Sequence, residues 1–467
     1  MPIEVTVTGG AYGTRPDDDE QWLPVFEALG RTRALTLYAL PGASVMQQVR
    51  SWEAPVLREF FLEVRDLDPD ESDLDTIDGL FKITEGSRDL QKLRLQGAAN
   101  VLSEDVFRRI SRSPSLRELN LSNASRFTPV PLDPIFEMLR SLPNLERLFL
   151  DFRPEADGDE TSMESMEVVK LPHLCLLSIS FYRGISMILR HLDFPSTAEI
   201  GILDFPRPRD HGIEDEEVLD ELRQVIPKLT GGHPVTRLAI KPDPILPALS
   251  ATFITAPGEG KPEADRFVLY THDYSLGALI VADLFAHLPL SAVRQLSVAS
   301  LCGSDPDQEL PPIVVLDLLR LCPNLRLLDI ASTWTTWVST LLDPPVPWGE
   351  QPAFSTPLDL RISHIAVETW AYQQDSGEAD DSLCMGEIVE MLQHRHERGN
   401  SIGHITFHHL PPIPFHDLFT MRRAVVGGVH QGDIPDCKGM KYKPYSFTSL
   451  PPPAPDRDRE ITLRRTA

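Results

Sequence analysis

The chain contains 467 residues, of which 42% are hydrophobic, so it can form two or three compact domains or one continuous repeat array. Its 69 Asp+Glu outnumber its 44 Lys+Arg, and the net charge of −25 argues against nucleic acid and anionic membranes as partners. No apolar stretch approaches the roughly 18 residues of a membrane-spanning helix, and the N-terminal residues lack the features of a secretory signal.

The cysteines favour a reducing compartment. Their number is odd, and no two of them form a Cys-x-x-Cys pair. A disulfide framework would need paired cysteines in a secreted chain, so we expect a cytoplasmic or nuclear protein. The five positions are Cys175, Cys302, Cys322, Cys384 and Cys437.

The first predicted element is a strand at residues 3–8, where apolar and polar side chains alternate. A short helix should follow it. The apolar residues that would give this helix its inward face are Trp22, Leu23, Val25, Phe26 and Leu29.

A short apolar phrase then recurs along the chain. It places aliphatic residues at its first, fourth and sixth positions, and its copies at residues 116, 145 and 174 start 29 residues apart. A fixed period of about 20–50 residues is typical of stacked repeats. The five clearest copies are Leu90-x-x-Leu93-x-Leu95, Leu116-x-x-Leu119-x-Leu121, Leu145-x-x-Leu148-x-Leu150, Leu174-x-x-Leu177-x-Ile179 and Leu325-x-x-Leu328-x-Ile330.

Three of the clear copies, those starting at Leu116, Leu145 and Leu325, end a unit of helix, turn and strand. Residues 134–141 carry apolar side chains at helical spacing, whereas residues 142–150 end in the strict alternation of a strand. A Pro-Asn turn at 143–144 interrupts the helix between them. The same order of elements recurs at 105–121 and 312–330.

Weaker copies extend the series in both directions. Copies starting at Val235, Ala264 and Val293 again lie 29 residues apart, and the Pro-, Ala- and Gly-rich residues 241–265 are interpreted as a long insertion. Further weak copies start at Thr32, Leu57, Pro357 and Ile402. Three acidic segments are interpreted as solvated loops, at 155–160, 210–217 and 375–381.

These patterns predict an α/β solenoid, or horseshoe, of irregular repeats of about 25–35 residues. Parallel strands would line its concave face and helices its convex face, because a single repeat cannot bury its apolar side alone. The solenoid would occupy residues 1–440, with acidic and Pro-rich loop insertions. Residues 441–467 are rich in proline and are predicted to form a disordered tail.

The sequence shows no recognisable catalytic or cofactor motif. Gly258-Glu-Gly-Lys261 lacks the Ser or Thr that follows the lysine of a phosphate loop, and no Gly-x-Ser-x-Gly or His-Glu-x-x-His is present. We therefore expect a protein that is not an enzyme and binds no cofactor. The alternative is an enzyme or nucleotide-dependent sensor whose site has no recognisable motif.

Six histidines lie close together near the C-terminal end, and imidazoles at this density suit a transition metal. No cysteines complete a ligand set, so half-buried and exposed histidines of a terminal repeat are the preferred interpretation, and we predict no metal site. The six are His394, His396, His404, His408, His409 and His416.

The predicted site is the set of residues between the inward leucines, which must point to the opposite side of the strands. They form a mixed, partly basic surface in an acidic protein, which suits recognition of a protein partner. The alternative is that these residues only keep the array soluble. The candidate partner-binding residues are Lys92, Arg94, Glu118, Asn120, Arg147 and Phe149.

The repeats resemble leucine-rich-repeat proteins over about residues 30–410. The phrase Leu-Cys-Pro-Asn-Leu-Arg-Leu-Leu-Asp-Ile at 321–330 is most similar to the F-box leucine-rich-repeat proteins of mushroom-forming fungi. In that family an F-box docks a Skp-type adaptor of a cullin ubiquitin ligase, and the repeats hold the substrate. The sequence departs from the family at the ninth repeat position, which holds Ala124, Arg153 and Thr333 instead of Asn or Cys.

This resemblance implies a substrate-recognition arm of a ubiquitin ligase. No Leu-Pro-x-Glu-Leu-type F-box helix precedes the repeats, so we expect this chain alone not to bind a Skp-type adaptor. The expected function is a non-catalytic protein-protein interaction module whose protein partner or substrate the sequence does not identify.

Overall fold

Strands that pair in parallel alternate with helices in the computed structural model, so the predicted α/β class is confirmed. Two compact units are present: residues 1–201 with 446–467, and residues 202–445. The structure describes residues 2–7, 22–38, 40–41, 43–49, 53–64, 71–85, 87–97, 102–123, 130–152, 167–180, 185–205, 215–230, 234–242, 249–255, 265–271, 285–299, 312–331, 335–344, 353–354, 356–363, 385–408, 415–431 and 461–465.

The first unit contains a sheet in which β1 pairs with β2, β2 with β3, and so on to β6, which pairs with β8. All of these pairings are parallel. The two short strands β7 and β9 form a separate parallel pair. The strands are β1 (Ile3–Val7), β2 (Thr32–Leu37), β3 (Glu59–Glu63), β4 (Lys92–Gly97), β5 (Glu118–Asn123), β6 (Arg147–Asp151), β7 (Val169–Lys170), β8 (Leu176–Ser180) and β9 (Leu192–Asp193). Strand β10 (Glu199–Phe205) begins in this unit and ends in the second.

A helix lies between each pair of successive strands from β1 to β6, in agreement with the crossover that parallel neighbours need. Helix α2 packs on α3, α3 on α4, and α4 on α5. A 3-10 turn at Leu29–Arg31 follows α1. The helices are α1 (Leu23–Glu27), α2 (Ala43–Gln48), α3 (Glu71–Glu85), α4 (Glu104–Ile110), α5 (Leu132–Arg140) and α6 (Ile185–His191).

The strands are held in register by their inward leucines. Leu119 pairs with Leu93 on one side and with Leu148 on the other, and all three side chains are completely buried. Each leucine thus fills the space between two neighbouring repeats. Because a shift of one residue would turn every leucine to the opposite face, this burial fixes the register of the sheet.

Where the turn before a strand reads Pro-Asn, it also links neighbouring repeats. The side-chain amide of Asn144 donates a hydrogen bond of 2.9 Å to the carbonyl of Pro114, in the equivalent turn of the preceding repeat. In the second unit, Asn324 donates in the same way to Ser291, at 2.8 Å. The recurring asparagine therefore satisfies a carbonyl that the turn would otherwise leave to solvent.

Helix α4 shows why the repeat sequence forms a helix at this point. Ser103 is its N-cap and accepts a hydrogen bond from the backbone of Val106, as serine commonly does at a helix start. Acidic residues occupy the first turn and basic residues the last, in agreement with the helix dipole. Its Arg109 pairs at 2.7 Å with Glu85, at the end of α3.

A last strand, β19 (Ile461–Arg465), pairs antiparallel with β1. This segment belongs to the region that was predicted to be a disordered tail, so the structure differs from the expectation at these five residues. The rest of the predicted tail, 441–460 and 466–467, lies outside the described residues. The strand covers one side of β1, whose backbone groups would otherwise form an open edge.

The second unit repeats the same order of strand and helix. Parallel pairings join β11 to β14, and then β14, β15, β16, β17 and β18 in chain order. The strands are β11 (Val235–Pro242), β12 (Leu249–Thr255), β13 (Asp265–Thr271), β14 (Gln295–Ala299), β15 (Leu327–Ala331), β16 (Leu358–Ser363), β17 (Ile402–His408) and β18 (Val429–Gln431). The helices are α7 (Asp215–Thr230), α8 (Pro312–Leu321), α9 (Thr335–Leu342), α10 (Met385–Glu397) and α11 (Phe415–Ala424), with a 3-10 turn at Leu290–Ala292.

One predicted repeat of this unit is wrong. The copy starting at Ala264 was expected to form a parallel rung between the copies at Val235 and Val293. Instead, β13 pairs antiparallel with β12, and β12 pairs antiparallel with β11, which pairs directly with β14. The alternating Ser250–Thr255 segment of the predicted insertion has its own strand pattern, so it forms β12 and takes β13 as its partner.

A buried arginine holds the end of α9 in the second unit. Arg395 is 1% exposed, and its guanidinium donates to the carbonyls of Leu342, at 2.6 Å, and Asn400, at 3.2 Å. Burial lowers its pKa to about 10, while the charge of Asp343 acts in the opposite direction. Arg395 therefore stays protonated near neutral pH and caps the last turn of the helix.

The register of the inward leucines predicts the result of a single truncation. Leu148→Ala should lower the free energy of unfolding by about 2–5 kcal/mol, because the side chain is completely buried between two neighbouring strands. The matched control is Val168→Ala, at a side chain that is 46% exposed. Urea denaturation followed by circular dichroism checks both, and equal midpoints for Leu148→Ala and the parent would contradict the inward assignment.

Candidate functional site: a polar surface on four parallel strands

The six predicted partner-binding residues come together on one side of β4, β5 and β6. The register aligns Lys92 with Glu118, and Glu118 with Arg147. A second row, two residues further along each strand, aligns Arg94, Asn120 and Phe149. Neighbouring strands are about 4.8 Å apart, so side chains within a row are direct neighbours.

Strand β3 extends both rows by one residue that was missing from the predicted site. Glu59 pairs in register with Lys92, and Phe61 pairs with Arg94. The weak phrase at Leu57 already indicated that these residues lie between inward side chains. We call the resulting surface the Glu118 face; its members are Glu59, Phe61, Lys92, Arg94, Glu118, Asn120, Arg147 and Phe149.

Glu118 is the centre of this surface. Its Oε1 accepts hydrogen bonds from Nε and Nη2 of Arg94, at 3.3 and 3.0 Å, and its Oε2 accepts one from Nη1 of Arg147, at 3.2 Å. The Glu118 side chain is only 5% exposed, whereas the two arginines are 35% and 53% exposed. One buried carboxylate therefore holds two guanidinium groups that still face solvent.

The environment of Glu118 keeps it ionised. Burial alone would raise the pKa of its carboxyl group, but the hydrogen bonds and charges of Arg94 and Arg147 outweigh burial, and the pKa lies below its ordinary value. At neutral pH the carboxylate consequently neutralises part of the positive charge around it.

The Glu118 face is thus less basic than its sequence indicates. Lys92 pairs with Glu59 at 2.9 Å, and both side chains are nearly half exposed. Its three cations, Lys92, Arg94 and Arg147, face the two carboxylates Glu59 and Glu118, so the face carries one positive charge in excess. The sequence pattern places these cations on one face, but it does not show that they are already paired.

Aromatic side chains border the charged centre. Phe61 and Phe149 lie in the same row as Arg94 and Asn120, and both are only half-buried. The ring of Tyr38 meets that of Phe61 edge-on, with centroids 5.4 Å apart. Aromatic residues, phenylalanine included, and arginine are enriched at protein interfaces relative to the rest of the surface.

Asn120 lies between Arg94 and Phe149. Its side chain is half-buried, and its carboxamide forms no hydrogen bond within the part of the chain that the structure describes. A carboxamide can donate two hydrogen bonds and accept two. The Asn120 side chain can therefore both donate hydrogen bonds to a molecule on the Glu118 face and accept hydrogen bonds from it.

A third row at the ends of the strands is also polar. The hydroxyl of Ser122 donates a 2.8 Å hydrogen bond to Oδ2 of Asp151. Oδ1 of Asp151 is buried, as is the hydroxyl of Ser178, which pairs in register with Phe149 at the β8 end of the second row. Neither atom has a hydrogen-bond partner among the described residues. Unpaired buried polar atoms are uncommon in folded proteins, and the sequence pattern did not single out these two.

The C-terminal histidines do not form one cluster in the part of the chain that the structure covers. His394 pairs with Asp343, His404 with Asp359, and His416 with Asp417. His396 instead lies 3.0 Å from the hydroxyl of Ser401. No group of three or more potential metal ligands occurs among the described residues, and His409 lies outside them.

The described cysteines are not activated thiols. Cys322 is buried, and burial raises its pKa to about 12. Cys175 is exposed, and partial burial also raises its pKa, although the charge of Arg147 acts in the opposite direction. Nucleophilic cysteines need a lowered pKa instead. Cys302, Cys384 and Cys437 lie outside the described residues, as does the Gly258–Lys261 segment.

Within the described ranges, no helix is both long enough and apolar enough to cross a membrane. No protein-family model matches the chain, and no curated protein is found to be similar to it.

The buried carboxylate of Glu118 predicts a pH-dependent stability. Because its pKa is lower in the folded chain than the ordinary value of 4.5, the ionised form stabilises the fold fully above about pH 4.5. This contribution is lost as the pH falls through the folded pKa. Glu118→Gln should therefore lower the free energy of unfolding by about 1–3 kcal/mol at pH 7, and the difference from the parent should shrink in acid.

Urea denaturation at pH 7, 5 and 3.5 measures this difference. The matched control is Glu146→Gln, which removes the partner of Arg117 from a pair whose side chains are 43% and 59% exposed. Exposed pairs of this kind contribute about 0–1 kcal/mol. A Glu118→Gln difference that stays the same at all three pH values would show that the paired carboxylate is not its source.

Proposed function

We propose that the chain is a leucine-rich-repeat solenoid that binds a protein partner through the Glu118 face and catalyses no reaction. Strands lie on the concave side and helices on the convex side of this solenoid. The parallel register of neighbouring repeats supports the repeat architecture, since Leu93, Leu119, Leu148 and Leu177 occupy equivalent buried positions.

The observation that carries the proposal is the composition of the Glu118 face. Two arginines are held by a buried carboxylate, and half-buried phenylalanines lie at both ends of the row that contains Arg94 and Asn120. A surface that only maintained solubility would need neither fixed arginines nor half-buried aromatic rings. Arginine and aromatic residues in the centre of a polar surface are typical of protein interfaces.

The resemblance to F-box leucine-rich-repeat proteins extends the proposal. On this basis the chain is the part of a cullin-type ubiquitin ligase that recognises the substrate, and its repeats bind that substrate. It works in the cytoplasm or nucleus. A Skp-type adaptor is not among the partners that we propose for this chain alone.

The proposed face can be tested with a double truncation. Phe61→Ala/Phe149→Ala should weaken binding of a specific partner by about tenfold or more, because the variant removes both aromatic rings of the face, and interface residues that matter for binding cost more than about 1 kcal/mol each when truncated. The matched control is Phe419→Ala in the second unit, where the phenylalanine is 58% exposed.

The measurement is quantitative mass spectrometry of proteins captured from a cell lysate by the immobilised parent, the double variant and the control. Thermal melting establishes that the three chains fold alike. The proposal predicts proteins that the parent and Phe419→Ala retain and the double variant loses. Identical capture by all three chains would contradict the Glu118 face as the binding surface.

A further inference from the structure

We infer that the Glu118 face binds an extended peptide segment that carries Asp or Glu side chains, and that Asn120 pairs with the backbone of this segment. The inference rests on the proposed function and adds the chemistry of the partner. Three features carry it: the exposed guanidinium of Arg147, the carboxamide of Asn120 and the buried carboxylate of Glu118.

The first feature is the exposed cation at the end of the first row. Arg147 uses Nη1 for Glu118, and within the described residues no hydrogen bond engages its other donors. A guanidinium carries five N–H donors, and paired donors of this group match the two oxygens of a carboxylate. The positive charge in excess on the Glu118 face favours the same type of ligand.

The second feature is the preorganisation of both arginines. Binding usually costs about 0.5–1.5 kcal/mol for each long side chain that must be ordered. Glu118 holds Arg94 and Arg147 in place before any ligand arrives, since it is 5% exposed and hydrogen-bonded to both. Glu118 is therefore a positioning residue that does not itself contact the ligand.

The third feature is Asn120, which is half-buried beside Arg94 in the adjacent row. An extended peptide presents backbone N–H and C=O groups that no internal hydrogen bond uses. A carboxamide can donate to the carbonyl and accept from the N–H of the same peptide. A helical segment would not provide this match, because its backbone groups are already paired within the helix.

The geometry also fits a short extended segment. Phe61, Arg94, Asn120 and Phe149 lie on four successive strands, which span about 14 Å at 4.8 Å per strand. An extended chain rises about 3.3 Å per residue, so four to five residues cover the row. Acidic side chains on one side of such a segment can reach the two arginines.

The experiment uses the full chain and an array of synthetic 12-residue peptides of random sequence. Every acidic peptide has a matched copy in which Asp is replaced by Asn and Glu by Gln. The chains compared are the parent, Arg147→Gln, Asn120→Asp and the control Phe419→Ala, after thermal melting has shown equal stability.

The inference predicts that the parent binds peptides enriched in Asp and Glu and binds their amide copies about tenfold or more weakly. Arg147→Gln should reduce this preference about tenfold, since hydrogen bonds to charged groups typically contribute that much. Asn120→Asp should also weaken binding, because a carboxylate cannot donate to the peptide carbonyl and repels acidic side chains. Phe419→Ala should behave like the parent.

The inference is overturned if no peptide binds, if the bound peptides show no acidic enrichment, or if Asn120→Asp binds like the parent. Loss of partners in the Phe61→Ala/Phe149→Ala capture experiment would in that case still support the proposed function. If the capture profile is also unchanged, the proposed function fails as well. The two experiments therefore separate the chemistry of the partner from the existence of the binding surface.

Discussion

Burial of leucines between neighbouring parallel strands is the constraint on which the rest of the structure depends. A single repeat exposes apolar side chains on the inner side of its strand, and only the next repeat can cover them. In the first unit this requirement sets the register from β3 to β8, because each inward leucine faces its equivalent in the next strand. The residues between the leucines are then fixed on the opposite side, where they form the Glu118 face.

That arrangement has an electrostatic consequence. Glu118 lies on the side of β5 opposite to the buried leucines. It is nevertheless buried between Lys92 and Arg147, its neighbours in the first row, so its charge must be compensated. Arg94 and Arg147 from the adjacent strands provide this compensation and lower the carboxyl pKa. The same contacts order the two guanidinium groups. The residue that stabilises the surface is thus also the residue that orders its cations for the partner that we propose.

Much of the first unit could be predicted from the sequence, and the physical reason is the strength of its period. Leu119 and Leu148 are buried and pair in parallel, as the 29-residue step indicates. The prediction of a parallel repeat at Ala264 was wrong, because three apolar positions predict that a strand forms but not which strand it pairs with. Strand direction there depends on β12, whose pattern lies inside the segment interpreted as an insertion.

The site could be predicted only in part, for a related reason. Strand alternation places Lys92, Arg94, Asn120 and Arg147 on one face, and the structure brings them together there. Alternation carries no information about which side chains pair across strands, so the pairing of both arginines with Glu118 was not predicted. Oδ1 of Asp151 and the hydroxyl of Ser178 are buried without a hydrogen-bond partner among the described residues. Whether a single polar atom is buried depends on the side chains packed around it, and a periodic pattern does not specify these.

The central claim is that a protein partner lies directly on the Glu118 face, and site-specific photo-crosslinking tests it most directly. The photoreactive amino acid benzoylphenylalanine replaces Phe149 in one chain and Phe419 in another, so that an aromatic side chain is substituted for an aromatic side chain in both. The account predicts a covalent product with a partner protein from the chain labelled at 149 and none from the chain labelled at 419. Equal products from both positions, or a product from 419 alone, would contradict it.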